Sequence, residues 1–388
     1  MKKSCKNIDI KKPDVIEPFI FDCLHRHWKN GKYQRLLHRL GAPAASTPEQ
    51  LHEAAASVAR YVAQTIADRS MPQFRPRAWV RADRTTGKPR LIGSESALQQ
   101  CYDYVAVYAC QELWRRRFLG QQCSSIKDRG QLYGTRLIRS YILKDLRASH
   151  WAKKHGRRYT PQCKYFCKLD IKKCYPSVDK AILLQLLEHD LGNPDLLYLW
   201  QEILAAHGRL NTPEPYTGLL IGALPSQWAA QYLMSFICRY ALSLDISHLV
   251  TFMDDMVAFG SNRRKLKKSI EELCRYAQEK LHLTIKDTWQ IKRLGESSID
   301  MMGFVVHASG KATIRARNFI RSRRLVLRAQ ERGHLDLRSA KRLTSYKGYY
   351  IYSDSERVCQ KLKTLPVFKM AQRVISAHER RIQHADLL

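Results

Sequence analysis

Acidic residues are scarce in this sequence. Its 388 residues carry 35 Asp and Glu against 67 Lys and Arg, a formal net charge of +32. Self-repulsion of that size calls for an abundant acidic partner, and nucleic acid is the first candidate. A polybasic membrane-surface protein fits poorly, because the charge is spread along the whole chain and is not clustered beside an apolar helix. No run of about 18 uninterrupted apolar residues is present, which argues against a membrane span. The stretch MKKSCKNIDIKKPDV has a basic start but no apolar run after it, so no secretory pattern is visible and a cytoplasmic location is expected. Internal repeats and low-complexity tracts are missing too. The eleven cysteines are an odd number without Cys-x-x-Cys pairs, which speaks against a disulfide framework or a zinc finger. Cys163, Cys167 and Cys174 are the closest group; with no matched His or Cys ligands nearby, they read as core residues.

What is present is an interleaving of helical and strand patterns. VIEPFIFDCLHRHW and PEQLHEAAASVARYVAQTIADR are amphipathic, and GAPAASTP at 41–48 between them reads as a linker. AWVRADRTTGKPRLIG at 78–93 predicts a hairpin, followed by a helix over about 94–117. CSSIKDRG precedes a helix through GQLYGTRLIRSYILKDL and a basic loop, WAKKHGRRYTPQ. KYFCKLDI predicts a buried strand, and DKAILLQLLEHDL and PDLLYLWQEILAAHG two helices. After the Gly/Pro-punctuated LNTPEPYTGLLIGALP, Ser226 is placed to cap QWAAQYLMSFICRYALSL. ISHLVTFMDDMVAFG predicts two short strands, NRRKLKKSIEELCRYAQEKL a helix, and LTIKDTWQI and SIDMMGFVV further strands. Residues 311–388 hold nineteen Lys and Arg against six Asp and Glu, mostly on helical patterns. Without strict βαβ alternation, the pattern predicts an α+β sheet covered by helices.

The adjacent Asp254 and Asp255 in TFMDDMVAF repel one another, and a divalent cation would relieve this; taken alone the pair reads first as a solvated turn. Asp170 in CKLDIKKCYPSVD ends another apolar strand. If the strands end at one edge, three carboxylates come within reach of two ions about 3.5 to 4 Å apart, the arrangement that drives in-line phosphoryl displacement.

On these residues the chain resembles reverse transcriptases, especially those of bacterial or phage retroelements. FMDD at 252–255 is similar to the family's Tyr-x-Asp-Asp turn, with Phe252 in place of tyrosine, and LDIKKCYPSV to the motif of the first metal-binding aspartate, Asp170. The resemblance implies that Ile171 contacts the nucleotide and that Tyr175 is a steric gate against a ribose 2′-hydroxyl. GLLIGALPSQ, with Ile221, Gly222, Ser226 and Gln227 at the nucleotide, resembles diversity-generating retroelement enzymes, whose copying is error-prone at template adenines. TTGKPRLIG resembles the triphosphate-gripping hairpin, with Arg90, Lys88 and Arg81 as candidates; a guanidinium fork suits phosphate best. Lys286 falls where the family has a lysine proposed to protonate the leaving pyrophosphate, and Gly303 lies in a turn similar to the primer grip. SYKGYYIYSDS resembles a thumb segment of the same group. Tyr346, Tyr349 and Tyr350 read first as thumb core, while Arg315, Arg317, Arg321, Arg323 and Arg324 read as phosphate contacts.

The resemblance implies a right-hand polymerase fold: a helical N-terminal extension (1–74), fingers (75–160), a palm with an antiparallel sheet (161–310, with a helical insertion at about 180–215) and a basic helical thumb (311–388). It implies two Mg²⁺ ions, with Mn²⁺ as a substitute, and an RNA template, a DNA or RNA primer and dNTPs as partners. A structured template RNA and a small accessory protein are implied by the diversity-generating subclass. No RNase H, endonuclease or protease segment is apparent, so other factors are expected to remove the template and integrate the product. A retron-like or defence-associated reverse transcriptase is the nearest alternative, and a nucleic-acid-binding scaffold with a degenerate palm the more distant one.

Overall fold

A computed structural model describes residues 2–27, 30–43, 47–83, 87–210 and 216–385. Along the chain come α1 (Pro13–His27), α2 (Gly31–Arg39) and α3 (Pro48–Ala67), then strands β1 (Arg77–Ala82) and β2 (Pro89–Ser94), then α4 (Ala97–Ala109), α5 (Gln111–Arg117) and α6 (Gln131–Lys154). Strand β3 (Tyr165–Asp170) leads into α7 (Cys174–Ser177), α8 (Lys180–Asp190), α9 (Pro194–Gly208) and α10 (Leu224–Ser243). Strands β4 (His248–Phe252) and β5 (Asp255–Gly260), α11 (Arg263–Leu281) and β6 (Ile291–Arg293) follow. The last elements are β7 (Ile299–Met301), β8 (Phe304–Val306), β9 (Ala312–Ile314), α12 (Ala316–Arg332), α13 (Leu337–Ile351), α14 (Glu356–Lys361) and α15 (Thr364–Ala385).

Several of the helices begin where the sequence supplies a cap. Thr47 accepts from the Gln50 N–H while the Gln50 side chain accepts from the Thr47 N–H, a reciprocal box that starts α3. Asp179 and Asn193 accept the first free N–H groups of α8 and α9. Four expectations need correction. The helix over 94–117 is broken at Cys110, because the Trp114 indole N–H takes the Val107 carbonyl (2.8 Å) that residue 111 would use in an unbroken helix. Helix α6 runs on to Lys154, where Lys153 and Lys154 suit the negative end of its dipole, so the first third of the expected basic loop is helical. Helix α10 begins at Leu224 with Pro225 in its first turn, which puts Ser226 inside the helix and not at its cap. LTIKDTWQI forms only an isolated bridge, Ile171 to Ile285, before β6. Part of the 41–48 linker, the tip of the 78–93 hairpin and residues 211–215 lie outside the described residues.

The chain divides into two compact units that interleave in sequence. One holds Met1–Ser125, Asp170–Ser243 and Ile270–Thr288; the other holds Ile126–Leu169, Leu244–Ser269 and Trp289–Leu388. In the first, α1 lies against α3 and α4, and the β1–β2 ribbon turns Ala78 and Leu91 onto Leu210, Leu220 and Ala223. In the second, a four-stranded sheet of order β4-β5-β3-β6 and a three-stranded one of order β7-β8-β9 form; every pairing whose register is resolved is antiparallel. Helix α6 covers the first sheet, with Tyr141 stacked on His248 at 4.0 Å. Val326, Leu343, Tyr350, Val367 and Phe368 make a separate core among α12, α13 and α15. None of the eleven cysteines forms a disulfide, and nine are buried. Among the described residues no helix is long and apolar enough to cross a membrane.

Candidate active site

Strands β4 and β5 are buried over nearly their whole length, which is why VTF and MVAF carry almost no polar residue. Phe252 pairs with Asp255, so only Met253 and Asp254 make the turn. Met253 holds φ at +55°, a left-handed conformation that costs a non-glycine residue roughly 1 kcal/mol. A tight turn on a buried ribbon holds its two carboxylates more firmly than a loop would, since rotation of either would disturb the ladder below. Asp254 and Asp255 are each half-buried.

Asp170 is the last residue of β3 and belongs to the other unit. There the chain from Asp170 to Lys172 pairs with Thr284 to Lys286: the Lys286 N–H donates to the Asp170 carbonyl (2.9 Å) and the Lys172 N–H to the Thr284 carbonyl (2.8 Å). This pairing brings the Lys286 Nζ to 2.7 Å from Asp170 Oδ1, with the two side chains 42% and 38% exposed. The two attract as ions but are not aligned for a hydrogen bond, and Oδ1 is itself shielded from solvent without another donor. An anionic oxygen in that condition suits a cation, and carboxylate oxygens are the donors Mg²⁺ prefers. As the side chains stand, no three His, Cys, Asp or Glu among the described residues are gathered closely enough to hold a metal ion.

Two glycines shape the wall beyond Asp170. The Leu219 N–H donates to the Tyr175 carbonyl (2.8 Å), and a Cβ on Gly218 would run into the carbonyls of Tyr175 and Pro176. Gly222, at φ +112°, leaves a Cβ only 2.8 Å from the Gly93 carbonyl, while the Gly93 N–H donates to Ile221 (2.9 Å). Tyr175 and the Ile221–Gly222 turn are thus both held by backbone, and the turn is stitched to β2. Neither Ile171 nor Ser226, both expected at the nucleotide, presents its side chain to solvent: Ile171 is buried, and Ser226 is 0% exposed with its hydroxyl unpartnered. Gln227 is exposed.

On the β1–β2 ribbon, Arg81, Lys88 and Arg90 are exposed, and Arg81 stands opposite Arg90. Arg90 is already engaged, its Nη2 3.0 Å from Asp83 Oδ2, so a phosphate there would have to displace that carboxylate. In the second unit, Met302 (φ +56°) and Gly303 (φ +86°) turn β7 into β8. Tyr349 sits over Gly303 and its hydroxyl donates to Gln131 Oε1 (3.2 Å). Arg315 is a correction: its Nε donates to Asp300 and its N–H to the Gly303 carbonyl (3.0 Å), so it braces the turn before it can serve a phosphate. Arg317, Arg323 and Arg324 are exposed on α12 and Arg321 is half-buried. Tyr350 is core, as its first reading had it, with its hydroxyl against Ser322 (2.8 Å). Asp83, Asp300 and Tyr349 were not singled out beforehand as partners, because a single acid or ring carries no local sign of what it will meet.

Mixed helices with antiparallel sheets, and a two-residue Asp-bearing turn joining β4 to β5, are those of a right-hand polymerase fold. Residues 116–306, from the end of α5 to β8, match the family described as reverse transcriptase (RNA-dependent DNA polymerase). Residues 116–306 of the chain thus form a region of reverse transcriptase type, a little under half of its length. No curated protein matches. Among solved structures, the chain is similar to apo telomerase of Candida tropicalis truncated from its C-terminal domain (15% identity, 63% of this chain and 56% of that one, TM-score 0.45). It is similar also to Candida albicans telomerase with a fragment of telomeric RNA (10%, 82% and 67%, TM-score 0.46) and to another apo telomerase of Candida tropicalis (12%, 81% and 59%, TM-score 0.49). The chain spans a little over half the length of the first of these.

Proposed function

We propose that the chain extends a DNA or RNA primer with dNTPs on an RNA template, using Asp170, Asp254 and Asp255 to hold two divalent ions. The observation that carries this reading is sheet order: β3, which ends at Asp170, lies beside β5, which begins at Asp255. Mg²⁺, or Mn²⁺ in its place, would supply activation of the 3′-hydroxyl and stabilisation of the leaving oxygen. The chain's own residues do the rest. Lys286 keeps an ammonium at Asp170 and is the proton source for the leaving pyrophosphate. Tyr175, pinned through its carbonyl, stands as the wall that a 2′-hydroxyl would strike. Arg90 releases Asp83 to take the triphosphate, with Lys88 and Arg81 beside it. The turn at Gly303 faces the primer end, and the arginines of α12 take duplex phosphates.

In this reading residues 1–74 are an N-terminal extension, 75–160 the fingers, 161–310 the palm and 311–388 the thumb, and the chain acts in a bacterial or phage retroelement. Ile221-Gly222 with Ser226-Gln227 supports the error-prone, diversity-generating type: without an amide at position 221, less holds the incoming base in register. A structured template RNA and a small accessory protein then belong to its partners. Sequencing of cDNA made on a defined primed RNA tests both levels. Mg²⁺-dependent incorporation lost in Asp254→Ala and Asp170→Ala supports the polymerase; activity that survives both substitutions sinks it and leaves a binding scaffold. Frequent misincorporation opposite adenine supports the subclass, whereas a faithful copy points to a retron-like or defence enzyme.

A further inference from the structure

The N-terminal unit contains a cavity of about 900 Å³ that none of the residues proposed for catalysis lines. It opens between α2, the approach to β1 and the start of α4. Arg35 and Arg39, one turn apart on α2, share it with Arg75 and Arg77. Among the described residues none of these four guanidiniums has an ion-pair partner, although acids are present in the unit and pair elsewhere. Lys32 adds a fifth cation, held by the Glu95 carbonyl (3.4 Å) and Gln100 Oε1 (3.2 Å). Glu95, the one carboxylate in the lining, is 4% exposed and turned inward, within reach of Gln99 Nε2 (3.4 Å) and His207 Nε2 (3.7 Å). The wall thus offers guanidinium forks to solvent and withholds its single acid.

Small-molecule pockets are mostly apolar with a few polar groups. Here every described lining residue except Ala97 is polar or charged, and four guanidiniums in one cleft match a run of phosphates better than a single anion. The strand that leaves the cleft adds a second element. Residues two apart on a strand share a face, so Trp79 follows Arg77 on the side opposite Ala78, which packs on the Leu210–Leu220–Ala223 cluster. Trp79 is 47% exposed, an unusual position for the largest apolar ring. Basic groove plus exposed aromatic is the combination that single-stranded nucleic acid recognises, through phosphates and stacked bases respectively.

We propose that this cleft binds the backbone of a single-stranded RNA segment, with a base stacked on Trp79, as a holding site separate from the primer terminus. The identity of the polyanion, RNA, rests on the polymerase reading; the site itself does not.

The test uses the full chain and a labelled single-stranded RNA of roughly 16 nucleotides, with binding measured across a salt titration. Arg35→Gln with Arg39→Gln, and separately Arg75→Gln with Arg77→Gln, are each expected to flatten the slope of log affinity against log salt by about 1.4, two phosphates' worth. Trp79→Ala is expected to weaken binding roughly tenfold without changing the slope. Incorporation on a short primed RNA at saturating concentration stays at the wild-type rate in all three. The two arginine pairs sit on different elements, so if one fails to fold the other still decides. Wild-type affinity and slope in a folded pair overturn the proposal, as does polyglutamate competing as well as RNA, which would assign the cleft to an acidic peptide. An inactive wild-type protein whose RNA binding still depends on these arginines would refute the polymerase reading and leave this one standing.

Discussion

Two hairpin turns in the same unit are built alike and equipped differently. β4–β5 and β7–β8 each close through two residues, and each starts the turn with a methionine at φ near +55°. In the second, glycine follows at φ +86°, so both residues are left-handed, as the twist-matched hairpin turn prefers. In the first, Asp254 follows without a left-handed φ, so the turn lacks that relief. The β7–β8 turn has a bare backbone with a tyrosine ring lying on it, which suits contact with a chain end. Its counterpart gives up the favourable glycine for a carboxylate at the apex and another at the first ladder position. One backbone device thus serves once as a surface and once as a mount for charge.

If that contrast is right, the largest effect belongs to the charged turn. Asp254→Ala is expected to cut dNTP incorporation roughly 10³-fold or more while RNA affinity holds, read by primer extension beside a binding titration. A variant that touches neither turn sets the scale for plain destabilisation. Asp190 is buried in the first unit and accepts from Arg117, Tyr232 (2.6 Å) and His189 (2.9 Å). Asp190→Ala strands the Arg117 charge and is expected to cost about 3 kcal/mol, seen in denaturant melts. The same network gives a pH dependence. Burial alone would raise Asp190, but hydrogen bonds from Arg117, Tyr232 and His189 and the charge of Arg117 outweigh it and hold the carboxyl below the usual carboxylate range. Its contribution is therefore complete above the ordinary range and lost as pH falls through the lowered value, so acid unfolding in wild type should be steeper than in Asp190→Ala.

Smaller effects probe the backbone. Gly303→Ala places a Cβ 2.5 Å from the Tyr349 ring at a left-handed φ. It is expected to lose about 2 kcal/mol, a melting temperature lower by roughly 5 °C, with part recovered in the double variant with Tyr349→Ala. Met253→Gly removes left-handed strain and should gain about 0.5 kcal/mol, a change opposite in sign that calorimetry can resolve. If Met253→Gly is instead destabilising, the two turns do not share a strained design and the comparison fails.

Much of the frame was legible along the chain. The β1–β2 and β4–β5 ribbons and the strand ending at Asp170 are written in patterns a few residues long. Misreadings arose where a distant or out-of-period atom intervened. Trp114 captured the Val107 carbonyl and split a helix whose apolar spacing ran through. Helix α10 opened at Leu224, with Pro225 in its first turn, two residues before the polar residue expected to cap it, and the buried Ser226 hydroxyl shows how little a side chain's polarity says about its depth.

The sequence by itself determined the elements and the order of the chemistry-bearing residues, because hydrophobic period, turn chemistry and capping act over a handful of positions. Only the tertiary structure decided who pairs with whom: Lys286 with Asp170, Arg90 with Asp83, Arg315 with Asp300, and four arginines of the N-terminal cleft with no acid among the described residues. Charge is carried by the residue, but its partner is chosen by the packing of segments that, for Asp170 and Lys286, lie 116 residues apart, and no local pattern encodes that choice.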